Sequence, residues 1–426
     1  MALIAAKAAT MGLGFLFWLA AARLFEPSEV GVAAGLVAAM MLCTQIALLG
    51  LGSALIVLYP ANQRRPGPLL DSAMTMVAIS GLVTSATFLA LATGAFSQLD
   101  VATSTPLYAG LFIVATVLGT QGILLDQTAT ALRRGDHALL RNLVFGIAAL
   151  VALGATAVLA SRAGSEGIFM PWALAGVVSC SLGLWQLRRA LGRYGIRPRL
   201  EYRVVRRLWA LGLPNHMLTL AERSPGLLLP ILVTELLSPA ENAVWYGVWM
   251  MAWVIFIVPV QVGMTMFAEV SHDPRSRSRT LRKGIRTALV IGAGGALIIA
   301  AAAELVLSLL GPSYAAAGAT PLRILVLGVV PMTFMHAYFS ICRADHRLGE
   351  ALATGWAGAV VAVLAASGAG LAAGLEGMAA AWVAVQSVTG AFSAWRVHAL
   401  VGVSDAASGS AVGPAITETG AAEMGA

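Results

Sequence analysis

Charge is scarce in this chain. Only 11% of its 426 residues are Asp, Glu, Lys or Arg, 59% are hydrophobic, and the mean hydropathy is +0.83. A soluble protein of this length needs far more charge to cover its surface, so a water-soluble globular fold is excluded. Lysine is nearly missing: Lys7 and Lys283 stand against 25 arginines, a bias consistent with GC-rich bacterial coding and without mechanistic weight. The three cysteines, Cys43, Cys180 and Cys342, fall within or at the ends of apolar stretches, which supports neither a disulfide framework nor a metal site. No phosphate-binding G-x-x-x-x-G-K-[S/T] loop occurs, so no ATPase is built in. No Ser/His/Asp set and no Asp-rich cluster occurs, and no connection is long enough for a glycosyltransferase or ligase domain. Neither catalytic residues nor cofactors are therefore expected.

What is present is apolar sequence in bilayer-length stretches. A hydrocarbon core of about 30 Å takes roughly 20 apolar helical residues. Twelve such spans are expected, at approximately 4–23, 32–59, 70–93, 107–131, 140–160, 170–187, 209–236, 243–268, 287–310, 319–341, 351–373 and 377–399. The second, from Val30 to Tyr59, is too long for one upright helix, and tilt or an extra interfacial turn is expected there. The first lacks a basic n-region and an A-x-A-like site, so it is expected to be a retained span.

Loop charge orients the spans. With the N-terminus in the cytoplasm, 23 of the 27 basic residues fall on the cytoplasmic side, including eight arginines between Arg188 and Arg207. Arg23, Arg162, Arg223 and Arg323 remain for the outer side or the interior. The positive-inside rule then places both termini in the cytoplasm of a bacterial inner-membrane protein. The net charge of +7 follows from the same bias and points to anionic lipid, with no nucleic acid as partner.

Two short matches recur along the chain. Leu24-Phe25-Glu26-Pro27-Ser28-Glu29 resembles Leu236-Leu237-Ser238-Pro239-Ala240-Glu241, displaced by 212, and Arg134-Gly135-Asp136-His137 resembles Arg343-Ala344-Asp345-His346, displaced by 209. The expected architecture is an all-α membrane protein with two parallel six-helix repeats around a central cavity. The N-terminal half is residues 1–187, a basic cytoplasmic linker 188–208, the C-terminal half 209–400, and a disordered cytoplasmic tail 401–426. Parallel repeats place a transporter's substrate between the halves.

Intramembrane polar groups are expensive and usually face a cavity or a partner. In span 7, Asn215, Thr219 and Glu222 share one helical face, and Arg223 lies about 100° from Glu222, too far round to pair as i,i+4 neighbours do. Pro214, Pro225, Gly226 and Pro230 bracket them. Span ends apart, Asp126 in span 4 is the only charge inside spans 1–6. The candidate substrate contacts are Arg223, Asn215, Thr219 and Arg23; the candidate ion-coupling groups are Glu222 and Asp126, with no metal. His216 and His336 read as packing or single-hydrogen-bond residues. Gln386, Thr389 and Ser393 in span 12 read as helix packing. Trp245, Tyr246, Trp249 and Trp253 cluster in span 8, where the first two fit an interfacial belt and sugar stacking stays open.

These residues also resemble a known family. Ala22-Arg23-Leu24-Phe25-Glu26-Pro27-Ser28-Glu29-Val30-Gly31 is similar to the "aRlLgpeeyG" segment that opens polysaccharide-transporter proteins. Leu49-Gly50-Leu51-Gly52-Ser53-Ala54-Leu55 resembles their "lGl..al", and Leu307-Ser308-Leu309-Leu310-Gly311-Pro312-Ser313-Tyr314 their "llfG..y" turn. Pro321-Leu322-Arg323-Ile324-Leu325 resembles the "lrilal" that follows, and Glu222-Arg223 lies where the family often carries an acidic-basic pair. The resemblance implies the multidrug/oligosaccharidyl-lipid/polysaccharide exporter superfamily and a flippase for polyprenyl-diphosphate-linked oligosaccharide. An H+ or Na+ coupling ion, and polymerase or glycosyltransferase partners, accompany that reading. The alternatives are an ion-coupled multidrug-type exporter of small molecules and a membrane-embedded polysaccharide polymerase or ligase.

Overall fold

The computed structural model describes residues 2–159, 164–192, 195, 197–273 and 276–410, with side chains described from Thr10 to Leu400. Among the described residues every regular element is a helix. The first half comprises α1 (Ala2–Leu24), α2 (Pro27–Ala47), α3 (Leu51–Leu58), α4 (Gly67–Ala95), α5 (Pro106–Ala131), α6 (Gly135–Leu159) and α7 (Gly164–Ala190). The second comprises α8 (Tyr202–Leu236), α9 (Pro239–His272), α10 (Arg277–Ala301), α11 (Ala303–Ser308), α12 (Pro312–Leu325), α13 (Val329–Ala344) and α14 (Leu348–Ser410). The chain is a multi-pass membrane protein: nine of these stretches are long and apolar enough to span by themselves. The short α1, the charge-bearing α8 and a division of α14 bring the passes to about twelve.

α14 divides at Ala373 (φ −143°) and Gly374 (φ 60°), where the backbone leaves the helical region. Glu350 accepts a 2.6 Å hydrogen bond from Arg396, 46 residues away; one straight helix would hold them about 69 Å apart. Gly358 lies against Thr389 and Gly370 against Met378. These pairs all centre on 373–374, so the two arms form an antiparallel hairpin. Its second arm continues to Ser410, ten residues into the segment expected to be disordered, and 411–426 lie outside the described residues.

The overlong second span is resolved by a break, not by the expected tilt or interfacial turn. α2 ends at Ala47, Leu49 and Gly50 take φ of 50° and 74°, and α3 begins at Leu51. The cause is α8 crossing at this point: a Cβ on Gly50 would lie 2.4 Å from the Gly212 backbone. Only glycine meets both the left-handed φ and the close approach.

The two halves pack mainly within themselves and meet where α2 crosses α8 and α9. Pro27 and Pro239 both occupy the first turn of their helices, 212 residues apart. Gly31 and Ala243, at the same displacement, touch each other: a Cβ on Gly31 would fall 1.6 Å from the Pro239 carbonyl oxygen and 3.1 Å from the Ala243 nitrogen. Equivalent residues in mutual contact are what a pseudo-two-fold axis produces. The second sequence match needs correcting by one turn. α5 ends with Arg133 at φ 57° and Arg134 N–H bonded to Ala129 O, and α13 ends with His346 at φ 57° and Arg347 N–H bonded to Cys342 O. These are equivalent 6→1 helix ends, but they lie 213 residues apart, so the 209 displacement aligned turn residues that do not correspond.

Helix ends sort into an arginine-rich face, with the connections after α3, α5, α7, α9 and α13, and an arginine-poor face opposite. The linker is narrower than expected, since α7 runs to Ala190 and α8 starts at Tyr202. Its extended part clings to the first half: the backbone N–H groups of Arg197, Arg199 and Glu201 donate to Asp71, Thr75 and Ser72 of α4.

Gly31→Val has no room beside Pro239. Overpacking of this kind costs about 1–3 kcal/mol, so the detergent-purified variant should unfold at a clearly lower temperature than wild type. Gly94→Ala, whose Cβ would enter open space, should unfold at the wild-type temperature.

Candidate functional site

The halves are closed together at the arginine-poor face. Trp18 of α1 packs on Tyr246 of α9 with ring centroids 4.7 Å apart. Asn242 donates 2.8 Å to Gly31 O. The Glu235 carboxylate, at the end of α8, accepts from the backbone N–H groups of Ser97, Gln98 and Leu99. Arg23 donates to the carbonyls of Leu309 (2.8 Å) and Ser308 (3.0 Å), tying α1 to α11.

Toward the arginine-rich face the arrangement is lopsided. α8 stays packed along α2 and α3, with Gly212 on Gly50 and His216 Nε2 2.7 Å from Gln45 O. α1 and α9, by contrast, meet only near the closed end. Phe17, Trp18 and Ala21 of α1 are buried while Thr10, on the same face toward the arginine-rich end, is exposed; Asn242 to Trp245 of α9 are buried while Val254, Gln261, Met264 and Thr265 are exposed. A cleft between the halves therefore opens toward the arginine-rich face and sideways between α1 and α9.

One wall of the cleft is the polar stripe of α8. Asn215, Thr219, Glu222, Arg223 and Gly226 fall within about 100° of arc. All are exposed or half-buried, on a helix that packs against α2, α9 and α14. Adjacent charges diverge here. Glu222 turns into the second half, where Arg343 Nη2 lies 3.4 Å and His336 Nδ1 3.8 Å from its Oε1. Arg223 is exposed, although protein surrounds it closely. Among the described residues it makes no hydrogen bond and no close ion pair. Thr219 donates to Asn215 O, and the Asn215 side chain is exposed without a hydrogen bond among the described residues. The structure thus brings Arg223, Asn215, Thr219 and Glu222 to one stripe.

It does not bring Arg23 or Asp126 there. Arg23 sits at the closed end with both donors on carbonyls. Asp126 is inside the first half, gripped by Arg141 through Nε (2.9 Å) and Nη2 (2.6 Å) and by Asn142 Nδ2 (3.2 Å). Arg141 is 7% exposed and also donates to Ser179 Oγ at 2.9 Å. Asp126 is therefore not the only charge inside spans 1–6. α6 begins at Gly135, well ahead of the expected start of its span, which carries Arg141 inward from what read as a loop position.

Other expectations meet different surroundings. Trp245 is fully buried in the protein core and cannot serve an interfacial belt, and Tyr246 is taken up by Trp18. His336 is buried, edge-on to Phe339, with its Nδ1 3.8 Å from Glu222 Oε1. Gln386 and Ser393 are buried and Thr389 packs on Gly358, consistent with helix packing. Sequence reasoning missed Arg141 and Arg343 as partners of Asp126 and Glu222. Spacing held a signal for the first, since Asp126 and Arg141 flank a short turn and must lie at similar depth on neighbouring helices. Nothing in the sequence pointed Arg343 at Glu222.

Breaking a buried ion pair by removing one partner costs about 3–5 kcal/mol, whereas replacing both partners by apolar groups is often neutral. Asp126→Ala should therefore sharply lower the unfolding temperature and the yield, and Asp126→Leu combined with Arg141→Met should recover most of the loss.

Comparison with known proteins follows this geometry. No curated protein resembles the chain closely enough in sequence to count as a match. Among solved structures, an inward-facing multidrug resistance MATE family transporter of the MOP superfamily superposes with a TM-score of 0.73 at 15% identity, over 95% of this chain and 99% of that one. The lipid II flippase MurJ, in an inward closed conformation, gives 0.72 at 12% identity over 93% and 87%. An outward-facing MATE family transporter gives 0.67 at 14% identity over 95% and 96%. At these identities the likeness speaks for a shared fold. Residues 20–319, well over half the chain, match the family described as polysaccharide biosynthesis protein, and the chain belongs to that family.

Proposed function

We propose that the protein carries a polyprenyl-diphosphate-linked oligosaccharide across the bacterial inner membrane, taking it up from the cytoplasmic leaflet. The observation that carries this reading is which charge in the cleft is left free. The carboxylate of Glu222 pairs with Arg343 at 3.4 Å, while the guanidinium of Arg223, next to it in the chain, makes no hydrogen bond or close ion pair among the described residues. A cleft whose free charge is an arginine attracts an anion and repels a cation. A guanidinium fork also matches diphosphate oxygens in geometry. That favours an anionic headgroup over the cationic compounds of a multidrug-type exporter. Family membership supports polysaccharide as the class of cargo.

The arginine-rich face is cytoplasmic by the positive-inside rule. The cleft then opens to the cytoplasm, and the gap between α1 and α9 lets a lipid tail remain in the bilayer while the headgroup enters. Of the two carboxylates considered for coupling, Asp126 is held by Arg141 in a two-pronged pair suited to structure. Glu222 has the looser contact, at 3.4 Å from Arg343, and is the better placed of the two for a coupling ion, H+ or Na+. Arg23 serves as an outer tie between the halves, and Asn215 and Thr219 line the path of the headgroup.

Three measurements test this. Cysteines placed at exposed positions 199 and 203 should react with membrane-impermeant reagents only after the cytoplasmic side is opened; labelling from outside would reverse the orientation. Deletion of the gene should make lipid-linked saccharide accumulate on the cytoplasmic leaflet with loss of surface polysaccharide. Altered resistance to cationic drugs with unchanged polysaccharide would favour the multidrug reading instead. Arg223→Ala should reach normal membrane levels yet fail to restore polysaccharide. A normal product from that variant would remove Arg223 from the substrate path.

A further inference from the structure

We infer that Trp249 is the saccharide platform of the cleft, a sugar-binding subsite directly beyond Arg223; this rests on the lipid-linked oligosaccharide reading given above. Gly226 lies one turn beyond Arg223 toward the closed end of α8. A Cβ at Gly226 would come within 2.7 Å of Trp249 Cζ2 and 2.9 Å of its Cε2 and Nε1. The nitrogen-bearing edge of the indole therefore lies directly on the α8 backbone, and glycine at 226 is what admits it. Three aromatic neighbours set the pose of the ring. Trp382 meets it edge-to-face with centroids 5.3 Å apart, Phe256 at 6.2 Å and Trp245 at 6.0 Å.

Trp249 differs from its neighbours in what it leaves open. Trp245 and Trp382 are buried, and their indole nitrogens are enclosed without partners. Trp249 is half-buried, and its N–H makes no hydrogen bond among the described residues. It thus combines a partly uncovered aromatic side chain with an N–H that has no hydrogen-bond partner among the described residues, at the end of the polar stripe. A pyranose answers both: its C–H-bearing face packs on the electron-rich face of an aromatic ring, and its hydroxyls accept from the N–H. A lipid tail would use only the ring, and a phosphate only the donor.

The spacing suits the cargo. Arg223 and Gly226 are about 4.5 Å apart along the helix axis, close to the breadth of one pyranose ring. With the diphosphate at Arg223, the first sugar attached to it reaches Trp249. Trp245, Phe256 and Trp382 back the ring from within the core of the second half, so a sugar can reach it only from the side of Arg223.

The test uses the full-length protein in lipid nanodiscs and two probes, undecaprenyl diphosphate and undecaprenyl diphosphate bearing a disaccharide. Trp249→Leu should weaken binding of the disaccharide probe by about tenfold, the size of one good aromatic contact, and leave the bare diphosphate unchanged. Arg223→Gln should weaken both. Trp249→Phe keeps a ring and removes the donor; it should fold normally and lose about threefold for the disaccharide probe alone, an intermediate effect. Equal losses for the two probes at Trp249, or no loss for either variant, would overturn the platform while leaving the lipid-diphosphate reading intact. A wild-type protein that binds neither probe would overturn the substrate reading and the platform with it.

Discussion

A charge in hydrocarbon has to be answered, and that constraint organises this molecule. Desolvating an ion costs several kcal/mol even after the protein relaxes around it, so each intramembrane charge either finds a partner or stands in water. Asp126 and Arg141 answer each other and order α5, α6 and α7 around them, with Ser179 and Asn142 satisfying further donors and acceptors. Glu222 is answered by Arg343, which binds α8 to α13 within the second half. Glu235 is answered by three backbone N–H groups of the 97–99 turn and fastens the end of α8 to the first half. Arg223 has no such answer and lies on the face of α8 that the cleft exposes. The packing of the bundle, and the identification of its working surface, follow from the same accounting.

The halves are built alike but are not used alike. Equivalent positions meet at Gly31 and Ala243, and the ends of α5 and α13 share one turn geometry. Yet α8 is fastened to α2 along most of its length, while its counterpart α1 leaves α9 soon after the Trp18–Tyr246 contact. The extended linker strengthens this bias by holding the start of α8 on α4. One seam between the halves is therefore sewn and the other is open over its arginine-rich part. The charged machinery is lopsided as well: the ion pair of the first half is closed on itself, and the free charge belongs to the second. The separate surroundings of Asp126, held by Arg141 inside the first half, and Glu222, beside Arg343 in the second, are where the two halves differ most in charge.

Much of this was legible in the sequence, and what was not has definite physical reasons. Apolar length revealed the spans, because bilayer thickness fixes how many residues a helix needs. The divergence of Glu222 and Arg223 was legible too, since adjacent residues on a helix cannot face the same way. The partners were not. Arg141 and Arg343 sit near helix ends, where hydropathy reads a loop, but long side chains reach back into the bundle. The break at Gly50 was hidden because its cause, the Gly212 backbone, lies 162 residues away. The 209 displacement misled because turns of similar composition align by residue type one helical turn out of register. Trp245 and Trp249 look equivalent in sequence; only tertiary packing makes one of them core and leaves the other half-open.

The cleft has two kinds of wall, and that contrast bears on what it can carry. α2 is surrounded by α4, α5, α7, α8 and α9, so the residues it still exposes face the cleft. They are apolar where α2 gives way to α3: Leu42, Ile46 and Leu49 are exposed or half-buried, followed by Ser53. Beside them, on the part of α8 that packs against α2 and α3, stand Asn215, Thr219 and Arg223. A fully hydrated ion or a free sugar would gain nothing from the apolar wall, and a hydrocarbon would be repelled by the polar one. An amphiphile with an anionic head uses both, provided its tail has a way out. The opening between α1 and α9 is such a way, and it lies on the side where the seam is unsewn. Charge placement, wall polarity and helix separation are three independent features of the structure, and all are compatible with the proposed cargo, an amphiphile with a lipid tail and an anionic head.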